Sequence, residues 1–252
     1  MMNPMGKVTA GFFSFTEITD PSEHRSYNEW HQLDHMPEQY PLPGIVAGQR
    51  WVSTPACRAA RLASAPLLDP VHYMTLYLMA EPLEETLAGF RALAFRLREA
   101  DRFHGHRRAR LSGPFEVADK AAAPRVLVSA EAVPFRPNFG VYVVVEEGTT
   151  LAPTDHPGAD GLERLVEVDG VAGAWRFSAS GRSGAQHWDG GGHRITVCYL
   201  DREPLAVAAD LGPVLSARWA ARGSSLVLAS PFESITPWKW DWFDPPEGAA
   251  QG

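Results

Sequence analysis

The stretch HYMTLYL at residues 72–78 recurs as HRITVCY at residues 193–199. Both copies are rich in β-branched and aromatic residues, which is typical of β-strands. Two further pairs follow in the same order, PGIVAGQRW at 43–51 with DGVAGAWRF at 169–177, and LSGPFE at 111–116 with LASPFE at 228–233. Three ordered matches, at offsets of 117 to 126 residues, indicate an internal repeat.

The periodicity of both copies predicts the element order β-α-β-β-α-β. Helices on one face of each sheet leave an apolar face that must be buried, and the sheet of the other copy is its simplest cover. We therefore predict an α+β fold of two tandem ferredoxin-like modules packed sheet to sheet. The predicted ranges are strands 8–18, 45–53, 73–79, 108–117, 139–146, 171–178, 194–200 and 226–235, helices 21–40, 83–100, 161–166 and 205–221, modules 1–130 and 131–243, and a disordered tail at 244–252.

The composition limits the class of protein. The 252 residues carry a net charge of −7, which argues against a general nucleic-acid binder. No apolar run is long enough for a transmembrane helix, and the first residues do not resemble a signal peptide. The two cysteines fit no zinc or disulfide pattern. We expect a cytoplasmic protein with a small-molecule substrate, no nucleic-acid or membrane partner, and at most a homodimeric assembly.

The segment YNEWHQLDHMPE at residues 27–38, with the Pro-Gly turn at 43–44 and the strand containing Arg50 and Trp51, resembles the first-helix signature of EthD-like proteins. These belong to the dimeric α/β-barrel superfamily, here with both modules in one chain. The resemblance implies the barrel fold. It leaves the reaction open, since the superfamily includes cofactor-free monooxygenases, isomerases, cyclases, haem enzymes and members without known activity.

A dense titratable cluster lies in this segment, formed by His31, Asp34, His35 and Glu38. On a helix His31 and His35 lie on one face, one turn apart. Histidine is the natural general acid–base at neutral pH, and a carboxylate would fix its tautomer. We predict His35 as the catalytic group, supported by Asp34 or His31. The alternative is a purely structural role, in which the cluster is a solvated helix end that makes only capping and surface contacts.

Other side chains of the first copy are predicted to bind substrate. Arg50 or Tyr73 would polarise a substrate oxygen, although a salt bridge is the structural alternative for Arg50. A strand-end hydrogen bond is the alternative for His72, and burial in the core is the alternative for the aromatic residues. The predicted substrate-binding residues are Arg50, Tyr27, Trp30, Trp51, His72 and Tyr73.

We expect neither a metal nor a cofactor. The residue after His31 is Gln32, where a zincin would have its catalytic glutamate. No motif selects a haem ligand among His156, His187 and His193. Two further segments are interpreted structurally: the basic run at 102–110 as a solvated loop, and Trp238, Trp240 and Trp242 as an extended segment with its indoles on one face.

The sequence therefore predicts a cofactor-independent enzyme that acts on a small apolar or aromatic metabolite by His-mediated proton transfer. The reaction would be of the lyase, dehydratase, isomerase or cyclase type. The alternatives are an oxygenase, cofactor-free or haem-dependent, and a non-catalytic protein that binds a hydrophobic ligand.

Overall fold

A computed structural model describes residues 7–147, 161–179, 192–220 and 225–244. Five α-helices, one π-helical turn and several short 3-10 turns accompany nine strands in these ranges. The strands are β1 Val8–Ile18, β2 Ile45–Val52, β3 Ala63–Ser64, β4 Tyr73–Ala80, β5 Arg107–Ala122, β6 Gly140–Glu147, β7 Val171–Ala179, β8 His193–Leu200 and β9 Ser225–Ser234. The helices are α1 His24–Trp30, continued by a π-helical turn His31–His35, then α2 Pro55–Ala59, α3 Leu83–Glu99, α4 Glu163–Val166 and α5 Pro204–Ala220.

Eight strands form a closed antiparallel barrel in the order β2-β4-β1-β5-β7-β8-β6-β9, and β9 returns to β2. The short strand β3 pairs with β9 beside this junction. The two seams between the halves differ in length. β5 and β7 pair from Phe115 to Ala122, whereas β2 meets β9 only at Trp51 and Val52. The predicted α+β barrel in one chain is confirmed.

The two halves have the same strand order. In the first half β1 lies between β4 and β5, and in the second half β6 lies between β8 and β9. Their registers also correspond. Phe12 of β1 lies opposite Tyr77 of β4, and Tyr142 of β6 lies opposite Cys198 of β8. The repeated sequences thus occupy equivalent places in the barrel, while the module boundary near residue 130 stays a prediction. The predicted tail lies, beyond Asp244, outside the described residues.

Alternation along the strands separates two regions of buried side chains. Phe13 and Phe15 of β1 point into the barrel, where they pack with Trp51 and with residues from both halves. Phe12 points outward and packs under α3 with Tyr77. Burial on both faces explains why β1 and β4 are apolar almost throughout, and it places any ligand site between a sheet and its helices.

Gly44 and Gly170 occupy the same place in the repeat, just before β2 and β7. Their φ angles are 86° and 90°, in the left-handed region that favours glycine. A Cβ at Gly44 would collide with Thr86 of α3, and one at Gly170 would collide with Val207 of α5. Both glycines therefore allow a helix to approach the turn before the strand.

The tryptophan segment is not extended as predicted. No strand forms over residues 237–243, turns occur at 237–238 and 242–243, and Trp238 has a φ of 70° and is 72% exposed. Trp240 is buried, and Trp242 packs with Tyr73 and other residues of the first half. The left-handed residue turns the chain, so the three indoles cannot share one face.

No helix among the described residues is both long enough and apolar enough to cross a membrane.

Candidate functional site

A cavity of about 590 Å³ lies in the first half, between the outer face of the sheet and the helices. The sheet contributes outward-facing residues of β1, β4 and β5, among them Thr75 and Tyr77. The π-helical turn forms one wall and α3 forms another. Its volume falls in the range of typical small-molecule sites.

The π-helical turn carries both predicted catalytic histidines. The amide of Met36 donates to the carbonyl of His31 at 2.9 Å, five residues back. Pro37 follows and has no amide hydrogen, so the helix cannot continue regularly. π-Helical turns are frequent at functional sites, and here the turn brings His31 and His35 to the cavity wall.

The two imidazole rings lie close together, with centroids 5.1 Å apart. His35 stacks on Trp30 at 4.6 Å, and its edge approaches Phe103. His31 is buried, and its Nε2 lies 3.4 Å from the hydroxyl of Thr75. The Nδ1 atoms of both histidines are buried without a hydrogen-bond partner. Aromatic packing therefore fixes both rings, and one buried nitrogen of each has no hydrogen-bond partner in the protein.

Both histidines are neutral at pH 7. Burial, followed by the positive charge of Arg107, lowers the pKa of His35 to about 3. Burial, with Arg50 as the next cause, lowers the pKa of His31 well below its usual value. The expectation of an ordinary acid–base histidine near 6.5 is corrected by this environment. Each imidazole starts as a proton acceptor.

Two other polar groups of the cavity residues lack partners. The hydroxyl of Tyr77 and the side-chain oxygen of Gln39 are buried without a hydrogen bond. Burial raises the pKa of Tyr77, so its phenol keeps its proton. A buried polar group without a partner costs free energy. The walls of the cavity thus contain both a hydrogen-bond donor, the phenol of Tyr77, and hydrogen-bond acceptors, the oxygen of Gln39 and the neutral imidazoles.

The sequence prediction gave Asp34 the role of a partner to His31 or His35, but the structure places its carboxylate elsewhere. Asp34 accepts hydrogen bonds from the guanidinium of Arg102, the shorter at 2.9 Å, and Glu38 accepts from the same group at 2.8 Å. Arg102 lies 68 residues from Asp34 in sequence, so the sequence pattern could not reveal the pair. The two carboxylates tie the π-helical turn to the loop after α3.

Tyr27 lines the cavity, and Trp30 supports it from behind His35. Arg50 does not line it. Its guanidinium lies 5.4 Å from the ring centroid of Tyr27 and donates to the side-chain oxygen of Asn28 at 2.9 Å. Arg50 is therefore behind the Tyr27 wall, where its charge still acts on the histidines.

The structure does not bring Tyr73, His72 or Trp51 to this cavity. The hydroxyl of Tyr73 instead forms hydrogen bonds with two side chains of α1. It lies 2.9 Å from Nδ1 of His24, and it accepts from the side-chain amide of Asn28 at 2.8 Å. The Nδ1 atom of His72 accepts from the amide of Ile18 at 3.1 Å, a strand-end bond. Trp51 lies inside the barrel.

Sequence reasoning missed three arginines of the wall, among them Arg91 of α3. Arg98 at the end of α3 and Arg107 at the start of β5 line the cavity together with Phe103. The interpretation of residues 102–110 as a solvated loop is wrong for residues 107–110, which begin β5. Helical spacing on α3 could have indicated Arg98. The place of Arg107 depends on where β5 begins, which its sequence does not show.

The equivalent space of the second half is filled. Between its sheet and α5, side chains such as Tyr142, Leu165, Cys198 and Leu211 pack against each other. His193 lies at the start of β8, and the other two haem candidates, His156 and His187, lie outside the described residues. Across the described ranges, no three His, Cys, Asp or Glu side chains are grouped to hold a metal ion.

No protein-family model matches the chain, and no curated protein matches its sequence. Solved structures match its fold. A chlorite dismutase-like protein is similar with a TM-score of 0.52 and 10% identity, over 94% of this chain and 98% of that chain. An anthrone oxidase-like protein has a TM-score of 0.51 and 14% identity, over 93% and 94%. The chain therefore shares the α/β-barrel fold of these two structures.

Proposed function

We propose that this cavity is the active site of a cofactor-independent enzyme that removes a proton from a small aromatic or apolar molecule. The observation that carries the proposal is a pair of neutral imidazoles, each with an Nδ1 atom that has no hydrogen-bond partner, in an aromatic cavity that is also lined by Tyr77, whose phenol has none either. Perturbed titratable groups that converge in a cleft are typical of catalytic sites. The reaction class is that of a lyase, dehydratase, isomerase or cyclase.

In the first step, the imidazole of His35 accepts the proton from an acidic C–H or O–H bond of the substrate. The electron pair of that bond stays on the substrate as an enolate or phenolate. The hydroxyl of Tyr77 donates a hydrogen bond to the new anionic oxygen. The positive charge of Arg107 stabilises the negative charge of the substrate across the low-dielectric cavity. The imidazolium then returns the proton to another substrate atom, which completes an isomerisation or assists the departure of a leaving group.

A pKa of about 3 makes His35 a weak base in the empty cavity. A substrate anion beside the ring would raise that pKa, because an opposite charge within about 4–6 Å favours the protonated form. Proton transfer inside the complex therefore produces an ion pair and not an isolated buried charge. This argument favours substrates whose anion is delocalised, such as phenols and aryl ketones.

The experiment follows deuterium exchange at the acidic C–H of 2-tetralone in D₂O, without oxygen, by proton NMR. We expect the protein to accelerate exchange over buffer, and the His35→Gln variant to lose that acceleration. His193→Ala, outside the cavity, is the matched control and should keep it. Binding of 2-tetralone without accelerated exchange would contradict the proposal and favour a non-catalytic ligand-binding protein.

Oxygenation is the second candidate. Its support is the likeness in fold to the anthrone oxidase-like protein, together with a base that can produce a carbanion. A delocalised carbanion can transfer an electron to molecular oxygen. The same assay in air, with an oxygen electrode, separates the two reactions. Oxygen uptake that depends on His35 favours the oxygenase, and exchange without uptake favours proton transfer alone.

A further inference from the structure

Three arginines of the cavity wall, Arg91, Arg98 and Arg107, have no ion-pair partner among the described residues. Arg98 and Arg107 line the cavity, and no described carboxylate lies within ion-pairing distance of either guanidinium. The neighbouring arginines of the same region differ from them. Arg102 bonds to Asp34 and Glu38, and Arg110 bonds to Glu17 at 2.8 Å.

Two of these guanidinium groups lie against one ring. The guanidinium carbon of Arg107 is 4.8 Å from the centroid of Phe103, and that of Arg98 is 5.4 Å from it. Arg107 also lies 5.5 Å from the ring centroid of Trp30. Aromatic faces attract each cation, but they do not remove the repulsion between two positive charges held at one ring. An anion in the cavity would.

The remaining wall is aromatic and small. Phe12, Phe90 and Phe95 line it with alanines of α3, and Phe95 is 61% exposed at the rim. Flat rings pack well on such surfaces. Polar groups without partners, on His31, His35 and Tyr77, supply a second hydrogen-bonding region in the same cavity.

We propose that the cavity binds a planar aromatic anion, with a carboxylate or phenolate at Arg98 and Arg107 and a second oxygen at the histidines and Tyr77. This inference rests on the proposed function for its location, and it specifies the substrate class of that site. Arginine favours such groups because its planar fork can donate two hydrogen bonds to one carboxylate.

The test compares 6-hydroxy-2-naphthoate with its methyl ester, which has the same rings and hydroxyl without the negative charge. Binding of each is measured by titration calorimetry with the wild-type chain. We expect the acid to bind at least about tenfold more tightly, since hydrogen bonds to charged groups contribute about 1.5–3 kcal/mol. Equal affinities, tighter binding of the ester, or no binding of either compound would overturn the inference.

Variants then locate the anion. Arg107→Gln should weaken binding of the acid about tenfold to a hundredfold and leave the weaker binding of the ester unchanged. Arg108→Gln, at the exposed neighbouring position, is the matched control and should bind both as the wild type does. Arg98→Gln, with a melting curve for each variant, covers the case in which Arg107→Gln does not fold. Unchanged binding of the acid by both cavity variants would also overturn the inference.

The result is separable from the proposed function. Tight, charge-dependent binding of the acid with no accelerated deuterium exchange would leave the anion site standing and remove the catalytic proposal. Accelerated exchange of 2-tetralone with no preference for the acid would do the opposite.

Discussion

The imidazole rings of His31 and His35 lie 5.1 Å apart, edge to face, on a π-helical turn. Neither ring is protonated to the cation at pH 7, because burial and nearby arginines disfavour a positive charge on the imidazole. The pair therefore differs from a surface histidine cluster, in which solvent would let both rings titrate near their usual pKa. It is suited to accept one proton at a time, because a second charge so close would be strongly unfavourable.

Replacement of His35 by Gln should lower turnover of the substrate by about 10²–10⁴-fold, the usual contribution of a positioned acid–base group. The melting temperature should change little, since the Nδ1 atom makes no hydrogen bond in the protein. Steady-state rates and melting curves check both. Retention of more than about a third of wild-type turnover would make the assignment of His35 wrong.

Replacement of Tyr77 by Phe should move activity and stability in opposite directions. The phenol is buried without a partner, so its removal eliminates an unsatisfied polar group and should leave the free energy of unfolding unchanged or higher. Turnover should fall about tenfold or more, because the anionic oxygen loses a donor. Urea unfolding and initial rates measure the two effects. A loss of stability without a loss of rate would place Tyr77 among purely structural residues.

Acidification should lower the free energy of unfolding already at pH values above those at which carboxylates titrate. The pKa values of His24, His35 and His72 are lowered to about 4, 3 and 3 by burial. The unfolded chain binds these protons below a pH of about 6.5, whereas the native protein does not. The free energy of unfolding should therefore fall as pH decreases from about 6.5 to about 5.

Urea titrations at several pH values test this expectation. The measured quantity is the slope of the free energy of unfolding against pH. His24→Gln should reduce it. A free energy of unfolding that stays constant over this range would show that the three rings titrate normally.

Replacement of Trp51 by Phe separates the barrel core from the cavity. Trp51 is 1% exposed, and its indole nitrogen donates to Asn138 at 3.0 Å. The variant loses volume and this bond, so we expect a destabilisation of about 1–3 kcal/mol. Ligand affinity should not change, because the ring lies on the other face of the sheet. A large change in affinity at unaltered stability would restore Trp51 to the substrate site.

Replacement of Ala92 by Trp should block the cavity. Ala92 lies on the exposed side of α3 and lines the cavity, so an indole at this position can fill the entrance without disturbing the core. Ligand affinity should fall at least about tenfold. The exposed Ala59 of α2 is the matched control, and Ala59→Trp should bind as the wild type does. Unaltered binding by Ala92→Trp would indicate another entrance or another site.

The architecture could be predicted because long strands carry their own periodicity and occur twice. The bounds of β1 and of α3 depend on local patterns of 11 and 17 residues. By contrast, α2 and β3 span five and two residues and were missed. Segments of this length have no period to detect, and β3 forms by pairing with the distant strand β9.

The site could be predicted only where its residues are close in sequence. His31 and His35 share a turn, so helical spacing already places them together. Arg107 reaches them from a strand more than 70 positions away. The partner of Asp34 is equally remote. Long-range contacts of this kind depend on which strands are neighbours and on their register. A single sequence does not specify which side chains these neighbours bring together.

The barrel is closed from two unlike halves of one chain, and this has a consequence for how its chemistry can vary. In a ring built from two identical subunits, symmetry places every substitution at both equivalent positions. Here Tyr77 faces a cavity, while Cys198 at the corresponding register faces a filled core. A change in one half therefore leaves the other intact. One half keeps the scaffold folded, and the other is free to acquire new residues without a doubled cost in stability.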